Sequence, residues 1–201
     1  MARLSLIVIA ILSLSIISGC GSSKKVTRIS EQSVTDLSGD WNDTDSRLVS
    51  EAMISDVVRQ PWLGNFTNKT GRQPVLIVGK ITNRSYEHIN VNTFVKDIER
   101  QLINSGDVEF VASSTERDQI RDERKDQAVH AAEETQKAPG QESGADFMII
   151  GTISSIIDKE GGTQVKFYQI NMELISLVDN KKVWIGEKKI KKGISKSSVK
   201  F

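Results

Sequence analysis

An α/β fold is predicted: a mixed sheet in which a parallel strand-helix-strand unit is followed by a C-terminal antiparallel meander, with helices packed on the sheet. Three observations predict it. Residues 75–79 and 108–112 are short, branched apolar runs on either side of a helical stripe, and strand, helix, strand in about forty residues makes a crossover with parallel strands. Residues 147–157 form a longer apolar, branched run of the kind that occupies the centre of a sheet. Gly161-Gly162 and Asp179-Asn180 then set turn residues between three successive strand patterns.

Residues 21–35 are small or polar, show no sustained period and read as a tether that reaches at most roughly 50 Å when stretched. From 43 to 60, Leu48, Val49, Ala52, Met53, Val57 and Val58 recur at helical spacing, with Asp43 or Thr44 as candidate caps. Pro61 disfavours helical geometry in the residue before it, so that helix is expected to end at Gln60. Trp62, Leu63 and Phe66 should then pack inward, and residues 67–74 read as loop.

The strand at 75–79 begins after Pro74, and residues 83–90 form the next loop. Val91, Phe94, Val95, Ile98 and Leu102 make the helical stripe, which Gly106 closes. Ser113 and Glu116 form a capping-box pattern that opens a long polar helix through about Gln136. Ile120, Ala128, Val129, Ala131 and Ala132 are all it offers for packing, so it presents a solvated face or, alternatively, a partner surface. Pro139-Gly140 stops it. After the central strand, residues 165–177 return as a hairpin partner and residues 182–190 complete the meander.

The N-terminus has a different logic. Arg3 precedes an apolar run over residues 4–17, then small residues and the only cysteine, Cys20. That run is shorter than the roughly 20 residues a spanning helix needs and fits a signal peptide. Ile17-Ser18-Gly19-Cys20 resembles the bacterial lipobox, which implies cleavage between Gly19 and Cys20 and lipidation of Cys20. The expected domains are a signal peptide at 1–19, a lipidated N-terminus with a short tether at 20–35, and one globular domain at 36–201. Gly21 stands where lipoproteins retained at the inner membrane typically carry aspartate, so the outer membrane is the expected location, with the domain facing the periplasm. With the thiol acylated, no disulfide is available and the core must suffice.

Arg3 is the only charge lost with the signal peptide, which leaves 26 basic against 26 acidic groups. The distribution is uneven, since residues 181–201 hold eight lysines against Glu187. Contact with an anionic surface is one reading. An edge strand with lysines facing water, followed by a frayed tail, is the simpler one.

No chemistry-bearing constellation emerges. His88 and His130 lack companions at metal-ligand spacing, and the thiol is committed to lipid. Gly79-Lys80 follows a strand, but the glycines a phosphate loop needs are missing, as are Gly-x-Gly-x-x-Gly and Gly-x-Ser-x-Gly. No catalytic residue, metal or cofactor is therefore expected, and no small-molecule substrate. Nucleic acid is a poor partner for a lysine-rich end with few exposed aromatics. The sequons at Asn42, Asn65, Asn68 and Asn83 are chance spacing in a chain with a bacterial lipobox.

Six stretches, in order, resemble the LpoB family of outer-membrane lipoproteins that activate penicillin-binding proteins. They are DLSGDWNDTDSRLV at 36–49, VGKITNRSYEHIN at 78–90, ERDQIRDERKDQ at 116–127, GADFMIIGTISSI at 144–156, YQINMELI at 168–175 and KKVWIGEKKIKK at 181–192. The resemblance implies a domain similar to the TolB N-terminal type, without catalysis. Such a domain docks on a small accessory domain of a bifunctional peptidoglycan synthase and raises its activity. The alternative is an envelope adaptor or assembly lipoprotein of the CsgG or TolB N-terminal type with another periplasmic partner, since those modules share the small-residue approach at Gly144-Ala145. A pore of that kind needs further alternating strands, and the sequence has none to spare.

Overall fold

The computed structural model describes residues 25–137 and 140–195. The chain divides into two units, residues 1–33 and residues 34–201. Of the first, residues 25–33 form no helix or strand. The signal peptide expected at 1–19, Cys20 and Gly21 lie outside the described residues, as do Pro139 and the lysines at 196 and 200.

The second unit runs α1 (Asp43–Val57), α2 (Pro61–Thr70), β1 (Val75–Arg84), α3 (Val91–Ser105), β2 (Glu109–Phe110), α4 (Ser114–His130), β3 (Phe147–Glu160), β4 (Thr163–Ser176) and β5 (Lys182–Ser195). One sheet has the order β2-β1-β3-β4-β5, parallel across β2-β1-β3 and antiparallel from β3 to β5. The α/β class, the parallel unit and the meander are as the sequence predicts.

Local chemistry explains where the boundaries differ. The cap of α1 is Asn42, not Asp43 or Thr44: its side chain accepts from Asp45 N–H at 3.1 Å while the Asp45 carboxylate accepts from Asn42 N–H at 3.0 Å. That helix ends at Val57, before Gln60, and Leu48, expected on its buried face, is exposed. Pro61 separates it from a second helix and also starts that helix, because its fixed φ suits the first helical turn. Residues 67–70, expected as loop, therefore belong to α2. Trp62 of that helix is buried, and Leu63 and Phe66 pack partly against the core.

β1 extends to Arg84 instead of stopping at Gly79, with one bulged residue between Val78 and Ile81. β2 is two residues long, and residues 111–113 lead from it to the Ser113 cap of the next helix. α4 has the expected capping box but stops at His130, where Ala131 turns extended at φ −88° and ψ 156°. It buries no residue, as a helix so short of apolar positions must.

One face of the sheet is covered. Odd positions of β3 (Phe147, Ile149, Ile153) and even positions of β4 (Tyr168, Ile170, Met172, Leu174) meet Val49, Met53 and Val57 of α1 and Phe94, Ile98 and Leu102 of α3. Trp62 and Phe66 of α2 set their rings edge-on to Phe147, at 5.1 and 5.4 Å between centroids. At the sheet's centre Gly151 is obligatory, since a Cβ there would lie 2.7 Å from the Asn171 carbonyl oxygen.

Candidate functional site

The largest concentration of buried polar groups lies on the covered face. Lys166 of β4 and Lys192 of β5 are directly paired across the ladder, and each side chain is only 8% exposed. Two ammonium groups side by side in a poorly solvated layer require counter-charge. Residues 36–45 and the loop after β1 supply it. Lys192 Nζ lies 2.6 Å from Asp45 Oδ2 and 3.0 Å from Asp36 Oδ2, and donates to the Asp40 carbonyl at 2.9 Å. Lys166 Nζ contacts the Asp40 carboxylate and lies 2.7 Å from Glu87 Oε1.

Glu87 is the hub between loop and sheet. The Tyr168 hydroxyl donates to its carboxylate, with oxygens at 2.7 and 2.8 Å, and Trp41 N–H donates to Oε2 at 2.9 Å. The Trp41 ring meets Tyr168 and Phe94 edge-on at 5.7 and 6.1 Å. Burial first, and then the Glu87 carboxylate, push the Tyr168 pKa well above its ordinary value, so the hydroxyl stays a donor. Burial, with the Lys192 ammonium beside it, lowers the Lys166 pKa.

Chemically this cluster is closed. Each carboxylate already meets an ammonium group, so the network fixes residues 36–45 across β4 and β5 and offers no free base beside a nucleophile. His88 and His130 are exposed, and among the described residues no set of three or more His, Cys, Asp or Glu is arranged to hold a metal ion.

The sequence reading missed this network. Lysines of the last strand were expected to face water, and Lys192 does not. A signal existed: Lys166 is in phase with Tyr168, Ile170, Met172 and Leu174, so the alternation that buries them also buries it. The opposing acids could not be assigned, because Asp36, Asp40, Asp45 and Glu87 come from loops and a helix start far away in sequence.

A second ionic cluster lies where α4 begins. Lys96 of α3 bonds Glu99 and Glu116, each at 2.6 Å, and Ser113 N–H donates to Glu116 at 2.8 Å. The Lys96 ammonium and the Ser113 donors hold Glu116 down at about 2, and the two carboxylates raise Lys96 to about 12. A third holds the entrance to the central strand: Arg72 grips Asp146 through two 2.7 Å bonds, while Val75 N–H donates to the same carboxylate at 2.8 Å.

The described residues thus form an α/β module with helices on one face of a mixed sheet, and ion pairs tie its loops and helices to that sheet. The family described as peptidoglycan-synthase activator LpoB matches residues 45–190, well over half of the chain. The chain belongs to the LpoB family. The matched stretch includes Asp45, Glu87, Lys166 and Tyr168 of the network, whereas Asp36, Asp40, Trp41 and Lys192 lie outside it.

Solved structures are more distant. The LpoB C-terminal domain from Salmonella enterica is 18% identical, over 65% of this chain and 93% of that one, with a TM-score of 0.36. A lipoprotein from Neisseria meningitidis is 11% identical, over 63% and 88%, at 0.40. A hypothetical protein from Chlamydia trachomatis is 14% identical, over 62% and 74%, at 0.33. No curated protein matches the sequence. Family membership therefore rests on the 45–190 match alone. Among the described residues no helix is long and apolar enough to cross a membrane.

Proposed function

We propose that this protein is a non-catalytic lipoprotein of the outer membrane, held by lipid on Cys20, whose domain at 36–201 binds a bifunctional peptidoglycan synthase in the periplasm and activates it. The family match over residues 45–190 carries this reading. Two features support it. The buried Lys166 and Lys192 are committed to Asp36, Asp40, Asp45 and Glu87, which leaves binding as the work of the surface. The lipobox residues and Gly21 suit export and outer-membrane sorting. No cofactor or small-molecule substrate enters the reading.

The test uses the full chain purified in detergent with each bifunctional synthase of the cell that makes it. Binding together with faster glycan polymerisation is the expected result. Absence of both overturns the proposal, and recovery from intact cells of other envelope proteins with no synthase would favour an adaptor role instead.

A further inference from the structure

β2 accompanies β1 for only two positions, Val75 with Glu109 and Leu76 with Phe110, while β1 continues to Arg84. The last bond on that side runs from Val111 N–H to the Leu76 carbonyl at 3.0 Å. Backbone groups along a strand alternate in direction, and the Val75 carbonyl accepts from Asp146 on the opposite side at 2.7 Å. Val78 is therefore the next residue to present its N–H and C=O toward the vacant side, and among the described residues no backbone group meets them there. The strand is nonetheless deeply placed, with Val78 and Ile81 each 7% exposed. Unpaired backbone in an apolar wall is what an added strand satisfies.

A groove of about 710 Å³ lies beside this edge. Val91 and Val95 of α3 line it together with Ile77 and Met148 of the sheet, and Lys80 and Arg117 contribute charge. Lys80 is exposed and forms no ion pair among the described residues. Arg117 donates from Nη1 to the Ala112 carbonyl at 3.1 Å, yet its Nε is buried without a partner. Lys96 is shared by Glu99 and Glu116, and with Lys80 and Arg117 the lining carries three positive groups against two negative ones, a net charge of +1.

We propose that an extended, apolar and acidic segment of the synthase adds to β1 as a strand in this groove. Its apolar side chains meet Val95 and Met148, and a carboxylate meets Lys80 and Arg117. Strand addition of this kind draws affinity from main-chain bonds and selectivity from the alternating side chains. This inference rests on the synthase reading and deepens it.

Hydrogen exchange of the full chain in detergent, with and without the synthase, tests it alongside the affinities of Lys80→Glu and Val95→Arg. Lys80 is exposed and unpaired, so its reversal leaves the fold intact and is expected to weaken binding on the order of tenfold. Val95→Arg, checked for folding by its own exchange map, should remove measurable binding. Amides over 78–83 should gain protection in the complex. If the synthase binds both variants at full strength, or if it binds wild type without protecting 78–83, strand addition is overturned while the synthase reading stands. If no synthase binds wild type, both fall.

Discussion

Lys192 of β5 and Asp45 of α1 form a 2.6 Å ion pair in which the side chains are only 8% and 7% exposed. Removing one partner leaves the other charged, desolvated and unmatched. Lys192→Met is therefore expected to cost about 3 to 5 kcal/mol, the range for breaking a buried pair. Asp45 also closes the α1 capping box, so Lys192→Met with Asp45→Asn, which keeps an acceptor for Asn42 N–H, should cost less than the sum of the single changes. Urea unfolding of the four proteins measures the coupling; strict additivity would show that the pair contributes nothing specific.

Tyr168 has no solvent exposure and directs its hydroxyl at Glu87. Tyr168→Phe keeps the ring contacts with Trp41 but removes a donor to a charged acceptor, so a loss of about 1.5 to 3 kcal/mol is expected. Loss of protection at the Trp41 amide in hydrogen exchange should accompany it, since both groups hold the same carboxylate. A variant as stable as wild type would remove Glu87 from its place as hub.

These two predictions concern residues whose roles the sequence concealed. Alternation and branched runs identify β3 and β4 because neighbouring residues carry that signal themselves, and Gly106 at φ 71° closes α3 for reasons confined to one turn. The Lys166–Lys192 pair depends on register between strands, and its counter-ions depend on where residues 36–45 and Glu87 meet the sheet. No local pattern encodes that meeting. Pro61 shows a milder limit: the rule that ends a helix before proline also permits a helix to begin at it, and only the packing of Trp62 and Phe66 on Phe147 decides. The groove beside β1 was illegible for a third reason, since it exists because β2 stops short.

Acid should weaken the joint between α3 and α4. Glu116 is held at about 2 against an ordinary 4.5, first by Lys96 and then by Ser113. A depressed carboxylate contributes stability that is present above its unfolded value and is lost as pH falls through the folded one, so the loss belongs between about 4.5 and 2. Asp146, lowered chiefly by Arg72, acts in the same direction. At the alkaline end Lys96, raised from 10.5 to about 12, contributes below the first value and ceases to contribute as pH rises through the second. Urea midpoints across the acid range should fall less steeply for Glu116→Gln than for wild type; parallel slopes would show that the cluster is not felt.

Gly151 tests the packing of the sheet itself. A Cβ there meets not only the Asn171 carbonyl at 2.7 Å but also Met172 Cγ at 3.1 Å and Ile81 Cδ1 at 3.2 Å. Side chains can yield, whereas the β4 backbone is pinned in the ladder. Gly151→Ala is expected to destabilise by about 1 to 3 kcal/mol, seen as a lower denaturant midpoint with an unchanged slope. Gly64 has no atom within 4 Å of its Cβ position, so Gly64→Ala in α2 is the matched control and should be neutral or stabilising.

The anchor proposed at Cys20 makes the last prediction, and it separates lipid from mere export. If Cys20 is acylated after cleavage, mass spectrometry of the protein from cells should find a chain that begins at Cys20 and carries acyl mass. Cys20→Ser should lack that mass and should not reach the outer membrane. Gly21→Asp keeps the cysteine and the lipid, and by the sorting pattern it should move the protein to the inner-membrane fraction. The two variants therefore part company: one loses the anchor, the other changes the membrane. Wild-type protein with an N-terminus elsewhere, or without acyl mass, would overturn the anchor. The synthase reading would then have to explain how an untethered domain finds its partner, since residues 21–35 reach only about 50 Å from Cys20 and the anchor is what confines the search.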